Sequence, residues 1–496
     1  MERLKATRRK FLGSCAGALG VVGLAACGAG GATVNATGAS TGQTTAAIAT
    51  ATASTTTAAA ATTAASVAST SAAAAASTSS VAVTASSPVP ATSQAVARAA
   101  GTVDLWLLGD EVWFKPMVDA YNKSQDKVKV QWEPKSDPTG QTGLVAAEAA
   151  GGPPNLVITY DEVAVGFAAK KMIQPMDTIL GQLKLTSDQF QKPAVDGITW
   201  QGKLWGLPVD WDPDFMLFYN PDQFQQVGLD PDKPPATLED LAAYAEKLDV
   251  PSGNTYKRVG WVPWNGWGFW PMAMSFIFGG TGVYDATTQQ PTLNSPSMVE
   301  GMTWVADWAK RYNPTAVADS AKGSTKAGPF GDGKLAMLSI GDWELQTLHN
   351  AAPKDFHYRI APFPPPAAHK QDYHLSSSGW IWILPTGVHD LDATATVLGW
   401  LAADKQMVEW CQNIGWLPAR TALLKDPAFQ TEDWKPFVNA LQTLPLYPEI
   451  QPTPDAVAIE TAMKTAATNV LALKNSPKEV LDDAQSTLVA QLKAQG

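Results

Sequence analysis

The segment VDLWLLGDEVWFKPMVDAY (residues 103–121) determines the fold class, because it predicts a buried strand followed directly by an amphipathic helix. The run from Val103 to Leu107 is short and apolar, as expected for a strand of a buried sheet. Phe114, Met117, Val118 and Tyr121 then recur at i, i+3, i+4 and i+7, which is the spacing of one helix face.

The following residues repeat the same alternation of strand and helix. Val128 to Trp132 alternates like a strand, Gly143 to Ala150 is helical, and Leu156 to Thr159 is a third short strand. Strands that alternate with helices at this spacing form a parallel sheet with crossover helices. The sequence therefore predicts an α/β fold.

Polar and aromatic residues follow the first and third of these strands. Because ligands bind beyond the carboxyl ends of parallel strands, we expect one crevice there. Its candidate residues are Asp110, Glu111, Trp113, Tyr160, Asp161 and Glu162.

A second candidate region is the segment GWVPWNGWGFWPM, Gly260–Met272, which holds four tryptophans among glycines and prolines. Those breakers disfavour a regular helix and predict a loop. Indole rings on a loop suit a ligand with an apolar face and a polar rim, such as a sugar. Burial in a core is the alternative. The ligand candidates here are Trp264, Asn265, Trp267 and Trp270.

Residues 1–27 have the pattern of an export signal, with basic residues first and an uncharged apolar run after them. Thr7–Leu12 resembles a twin-arginine motif, and Leu24–Cys27 resembles a bacterial lipobox, which implies a lipid on Cys27 and a membrane anchor. Residues 1–26 hold five basic and one acidic residue, so their removal changes the net charge from −10 to −14. An acidic chain of this kind lacks the basic footprint of a nucleic-acid-binding protein.

Residues 28–101 are dominated by Ala, Ser and Thr, and between Ala32 and Ala100 only Arg98 is charged. We expect a flexible or extended tether. Once Cys15 and Cys27 are accounted for, Cys411 is the one remaining cysteine, so no disulfide is expected in the mature domain. The five histidines show no zinc-ligand spacing, so no metal site is expected.

The acidic stretch Asp210–Asp214 has the D-x-D-x-D spacing of a calcium loop, but Phe215 and Pro221 occupy positions that require Gly and Glu. A glycosidase would need two carboxyls placed across the scissile bond, and no second acidic cluster stands out. Carboxylates can instead accept hydrogen bonds from sugar hydroxyls. We therefore expect Asp210, Trp211 and Asp212 to contact a ligand.

Five motifs in order resemble those of family 1 extracellular solute-binding proteins, the sugar-binding components of ABC importers, and the resemblance covers about residues 102–490. Two of the motifs depart from the family pattern, with Asn155 in place of an acid and Leu238 in place of a common Trp. The motifs are Gly151–Val157, Gly202–Pro221, Gly228–Leu241, Gly331–Trp343 and Gly415–Arg420.

The resemblance implies a two-lobed periplasmic-binding-protein type II fold, in which hinged lobes close on a ligand. Lobe 1 would hold residues 102–210 with about 373–435, and lobe 2 about 217–364 with about 436–496. The chain would cross the hinge near residues 210–216 and return near residues 364–380.

The same resemblance adds further candidate ligand residues. Asp342 and Trp343 follow an apolar run and resemble the family loop whose Trp stacks on sugar. The alternative is that the Trp343 side chain is buried beneath a lobe and does not contact the ligand. Trp380 and Trp382 should point to the same side of a strand, so one could line the cleft while the other seals it. Arg420 either binds ligand or fastens the hinge.

The sequence thus predicts a monomeric, lipid-anchored, extracytoplasmic protein that binds a sugar, expected to be an oligosaccharide, and delivers it to an ABC permease. No cofactor and no catalysis are expected. A binding protein for a polyamine or another cationic solute is the first alternative, and a secreted carbohydrate-active enzyme is the second.

Overall fold

The computed structural model describes residues 101–108, 111–135, 141–266, 270–320 and 323–495. The predicted export signal, the lipidated Cys27 and the tether up to residue 100 lie outside the described residues, as do Asp110 and Trp267. The side chain of Trp113 also lies outside them.

Strands and helices alternate through the first part of the chain, as the sequence predicts. The strands are β1 Thr102–Leu108, β2 Lys129–Lys135, β3 Leu156–Tyr160, β4 Ile173–Gln174, β5 Thr199–Trp200, β6 Lys203–Leu204, β7 Leu207–Pro208, β8 Asp212–Pro213, β9 Met216–Tyr219, β10 Val250–Ser252, β11 Thr255–Arg258, β12 Tyr284–Asp285, β13 Gln290–Pro291, β14 Met337–Ile340, β15 Arg359–Pro362, β16 Leu375–Ser378, β17 Trp380–Pro385 and β18 Leu446–Pro448.

Helices cover the sheets and dominate the C-terminal third. They are α1 Glu111–Ser124, α2 Gln141–Ala149, α3 Ala164–Ala169, α4 Asp177–Leu183, α5 Lys192–Ile198, α6 Pro221–Gln226, α7 Leu238–Leu248, α8 Trp270–Ile277, α9 Pro296–Tyr312, α10 Pro314–Ser320, α11 Gly328–Gly331, α12 Glu344–Ala351, α13 Leu391–Leu401, α14 Asp404–Ile414, α15 Lys435–Thr443, α16 Ala456–Leu471 and α17 Pro477–Gln495.

A six-stranded sheet forms the centre of lobe 1, with β1 paired in parallel to β2 on one side and to β3 on the other. The predicted parallel βαβαβ unit is therefore confirmed. Val103, Leu105 and Leu107 of β1 are buried, as their alternation along the strand requires. The sheet is completed from far along the chain, because β17 pairs antiparallel with β3, β4 and β7.

Lobe 2 is built on a three-stranded antiparallel sheet in which β9 lies between β14 and β15. Its core is aromatic. Trp261 is fully buried, donates its indole N–H to the Ser339 hydroxyl over 2.9 Å, and packs against Trp304, Trp308 and Phe363. At this position of the tryptophan-rich segment the core alternative is correct.

A third sheet, in the order β18-β16-β8, joins segments that serve the two lobes. Strands β8 and β16 fall inside the two ranges where we predict the chain to cross the hinge. The backbone at Gly379, between β16 and β17, lies against the backbone at Asp210. Only glycine fits at residue 379, because a Cβ there would stand 2.2 Å from the carbonyl oxygen of Asp210. The residue bounds of the two lobes remain a prediction.

The final helices pack on lobe 2, where α16 contacts α8 and α9 and α17 contacts α9. Ser476 and Glu479 form a reciprocal capping box at the start of α17, and Thr237 caps α7 by accepting from the Asp240 amide. Cys411 is a buried free thiol, as expected. Among the described residues, no helix combines the length and the apolar character needed to cross a bilayer.

Candidate functional site

Three aspartates alternate along the segment Asp210–Asp214, and each forms a hydrogen bond with a neighbouring segment. Asp210 accepts a hydrogen bond from the Trp380 amide at 3.1 Å, and Asp212 accepts one from the Leu417 amide at 2.9 Å. Asp214 accepts from the Ser378 hydroxyl at 2.7 Å. All three side chains are at most 2% exposed.

Three more buried carboxyls belong to the same group through their electrostatic interactions. Asp161 accepts from the Gly379 amide at 3.2 Å, while Asp342 interacts directly with Asp212. We use the term acidic cluster for the six residues Asp161, Asp210, Asp212, Asp214, Asp342 and Glu449, which are all 5% exposed or less.

Several oxygens of the acidic cluster lack a hydrogen-bond donor among the described residues. They are Asp210 Oδ2, Asp214 Oδ2, Glu449 Oε1 and both carboxyl oxygens of Asp342. No Lys, Arg or His of the described chain forms a salt bridge with any member of the cluster. Buried polar groups in proteins are normally paired, so these oxygens are candidates for contact with a ligand.

Burial and mutual repulsion make these carboxyls hard to ionise. Burial raises the pKa of Asp161 to about 7 and that of Asp212 to about 6. For Asp210 and Asp342, burial and then the charge of Asp212 raise the pKa well above its usual range. The ligand-free cluster therefore holds protons close to neutral pH.

This arrangement predicts an unusual dependence of stability on pH. A carboxyl with a raised pKa in the folded protein stabilises the fold below its unfolded pKa of about 4, and that contribution is lost as pH rises through the folded pKa. For Asp212 and Asp161 the loss is complete only above pH values of about 6 and about 7. We expect the ligand-free protein to have a higher free energy of unfolding at pH 5 than at pH 8, measured by chemical denaturation.

The Asp161→Asn variant should show a smaller fall in stability over this range, because one titrating carboxyl is gone. Asp119→Asn is a suitable control, since Asp119 is exposed and pairs with Lys115 on the surface of α1. If the stability of Asp161→Asn depended on pH as that of the unmodified protein does, the raised pKa assigned to Asp161 would be contradicted.

Tyr160, Trp380 and Trp416 form an aromatic surface that adjoins the acidic cluster. Trp380 and Tyr160 face each other across the β17–β3 pair with ring centroids 4.3 Å apart, and Trp380 stacks on Trp416 at 5.5 Å. Trp380 and Tyr160 are only half-buried. Trp382 is 2% exposed and packs on Trp410, so the two tryptophans of β17 differ in exposure as the sequence suggested.

The tryptophan-rich segment is divided between core and site. Gly266 pairs with Ser339 of β14, which leads directly to Asp342. Trp264 and Asn265 are half-exposed, yet the indole N–H of Trp264 and the Asn265 amide nitrogen are buried without an acceptor among the described residues. Both groups are therefore available to a ligand.

The loop prediction is wrong for the last residues of this segment, because Trp270, Pro271 and Met272 form the first turn of α8. Proline is tolerated there, since the first-turn amides have no helical acceptor. Trp270 is 7% exposed, which places most of its ring in the core.

Other predicted site residues lie in different surroundings. Trp211 is fully buried and donates its indole N–H to the Ser377 hydroxyl at 2.9 Å. Arg420 donates to Asp404 and to the Ala402 carbonyl oxygen, which are contacts within lobe 1. Trp343 is half-buried and its ring lies across Gly341.

The structure thus brings Tyr160, Asp161, Asp210 and Trp380 together, with Asp212 and Asp342 next to them. Glu449 was not anticipated, because it lies just beyond β18 and no motif near it in sequence singles it out. Trp416 was also missed, although it belongs to a motif in which only Arg420 was singled out.

The model of the bacterial extracellular solute-binding protein family matches residues 116–436. The sn-glycerol-3-phosphate-binding periplasmic protein UgpB of Pectobacterium atrosepticum is 24% identical over 351 residues, which are 67% of this chain and 76% of that protein. UgpB of Escherichia coli K12 is 24% identical over 289 residues, which cover 56% of this chain and 64% of that protein.

Solved structures of the same fold include CpMnBP1 bound to mannotriose, with a TM-score of 0.70 and 23% identity. That comparison covers 78% of this chain and 99% of the other. The substrate-binding protein Lmo0181 of Listeria monocytogenes in complex with cycloalternan gives a TM-score of 0.65 at 19% identity, covering 79% of this chain and 99% of the other. Because the family model spans well over half of the sequence, this chain belongs to the bacterial extracellular solute-binding protein family.

Proposed function

We propose that this protein captures a sugar, specifically an oligosaccharide, between its two lobes and delivers it to the permease of an ABC importer. The observation that carries the proposal is that the aromatic surface adjoins the acidic cluster, since the backbone amide of Trp380 donates to Asp210. A pyranose presents a flat C–H face to an indole and hydroxyl donors to carboxylates at its rim. Trp264, Asn265 and Trp343 would complete the contacts from lobe 2.

The bound sugars of similar structures support this choice, since CpMnBP1 and Lmo0181 hold mannotriose and cycloalternan. Glycerol 3-phosphate, named for UgpB, fits this site less well. A phosphate group would meet six buried carboxyls with no salt-bridged cation among the described residues, and like charges repel strongly where water is scarce. We therefore propose a ligand that is not an anion.

The proposal includes the location and the assembly of the protein. Export by the twin-arginine route, lipidation of Cys27 and a tether over residues 28–101 would hold a monomeric binding protein outside the cytoplasmic membrane. The lobes would contain residues 102–210 with about 373–435 and residues about 217–364 with about 436–496. We propose no cofactor, no metal and no catalysis.

A thermal-shift panel followed by calorimetry tests the proposal. Mannobiose, mannotriose, maltose, glycerol 3-phosphate and spermidine are compared, because a ligand that binds only the folded state raises the melting temperature by mass action. We expect one or more saccharides to raise it and glycerol 3-phosphate to leave it unchanged. A shift with spermidine alone would favour the polyamine alternative, and release of mono- or disaccharides from mannotriose would indicate an enzyme.

A further inference from the structure

The acidic cluster holds more carboxyl groups than hydroxyl recognition needs. All six are buried, and the described chain supplies no salt-bridging cation to any of them. A neutral sugar can donate hydrogen bonds to such oxygens but supplies no counter-charge to an ionised carboxylate. Ionising a buried carboxyl without a counter-charge is costly, and a bound cation would remove that cost.

Three of the five cluster oxygens that lack a donor belong to Asp210 and Asp342. Asp342 is fully buried, its oxygens have no hydroxyl or cationic donor among the described residues, and its carboxyl interacts with those of Asp212 and Asp210. Asp210 keeps Oδ2 unpartnered while Oδ1 holds the Trp380 amide. Three carboxyls beside an indole form a suitable environment for an ammonium group, which donates three hydrogen bonds and favours aromatic neighbours.

A metal ion is a poorer occupant of the same position. Metals require ligand oxygens that converge at about 2.0–2.6 Å from one point. Among the described residues, no three His, Cys, Asp or Glu side chains are placed to hold a metal ion. An ammonium group bonds through N–H donors at longer distances, about 2.7–2.9 Å from nitrogen to oxygen.

We infer that the solute is a cationic saccharide whose protonated amine is bound by Asp210, Asp212 and Asp342 while its ring lies on Trp380. This inference rests on the proposed sugar-binding function and narrows it to amino sugars. It differs from the polyamine alternative because it requires a sugar ring together with the charge.

The direct test compares a β-1,4-linked disaccharide of glucosamine with its N-acetylated counterpart, because acetylation removes the charge and keeps the two rings. Mannobiose and spermidine are the other two probes, and all four are titrated into the full-length protein at pH 7 by calorimetry. We expect the amine disaccharide to bind at least about tenfold more tightly than the N-acetylated form. Such a ratio corresponds to one charge-assisted hydrogen bond.

The Asp342→Asn variant locates the amine. Asparagine keeps the shape of the side chain, and its amide can still donate to Asp212, with which the Asp342 side chain interacts. We expect the preference for the amine disaccharide to fall to about threefold or less. The melting temperature of the ligand-free variant should rise at pH 8, since one repelling carboxyl is removed. Glu344→Gln is the matched control. Glu344 is a buried carboxyl two residues after Asp342 that lies outside the acidic cluster, so this variant should keep the full preference for the amine disaccharide.

The outcomes separate this inference from the proposed function. Equal or tighter binding of mannobiose or the N-acetylated disaccharide would overturn the inference and leave sugar binding intact. Binding of spermidine without any saccharide would overturn both. An undiminished amine preference in Asp342→Asn would exclude the assigned position of the amine.

Discussion

Replacing Trp211 by alanine is expected to lower the free energy of unfolding by about 3–5 kcal/mol, the usual cost of truncating a large buried aromatic residue. The Trp211 side chain is fully buried, and two glycines make room for its ring: a Cβ on Gly379 or Gly197 would lie 2.9 or 3.0 Å from it. Its indole N–H bonds to Ser377, whose hydroxyl donates in turn to the Tyr447 carbonyl oxygen. The indole therefore holds three crossing segments together.

Chemical denaturation of the ligand-free protein measures this effect, and Trp211→Phe provides the graded comparison. Phenylalanine keeps most of the buried area but loses the N–H, so a smaller cost of about 1–2 kcal/mol is expected. The sequence predicts that Trp211 contacts the ligand. Loss of sugar affinity in Trp211→Ala with unchanged stability would support that placement and contradict the structural role.

Replacing Trp380 by alanine should instead weaken ligand binding with little effect on folding. The ring is half-buried between Tyr160 and Trp416, and truncation removes apolar area that a bound sugar would cover. The backbone amide of residue 380 still reaches Asp210, so the acidic cluster keeps its geometry. A loss of about 2 kcal/mol, or about 30-fold in affinity, is expected.

Calorimetry with the tightest saccharide among mannobiose, mannotriose, maltose and the glucosamine disaccharide measures the loss. Trp106→Ala is the matched control, because Trp106 is another half-buried tryptophan of lobe 1 and lies beneath the Lys135 ammonium, 3.9 Å from its ring centroid. An unchanged affinity in Trp380→Ala would remove the aromatic surface from the site.

The sequence is most informative where local periodicity and burial coincide. The spacing of Phe114, Met117, Val118 and Tyr121 predicts α1, and all four side chains are buried. The cap at Thr237 is equally local, since its hydroxyl and the Asp240 amide lie one helical turn apart.

Residues whose surroundings come from distant parts of the chain could not be assigned in the same way. Trp261 and Trp264 are three positions apart in one irregular segment, yet one is buried among aromatic rings and the other is half-exposed. Glu449 joins the acidic cluster from just beyond β18, where no local pattern singles it out. The placement of Asp342 beside Asp212 likewise depends on how strands from different motifs meet.

The late insertion of β17 into the first sheet affects how this protein can be synthesised. Until Trp380–Pro385 has left the ribosome, the edge of β3 stays open and β4 has no partner in the sheet. Exposed strand edges invite pairing between chains, so nascent or truncated forms ending before Trp380 should aggregate. Lobe 1 is consequently a poor candidate for expression from residues 102–210 alone.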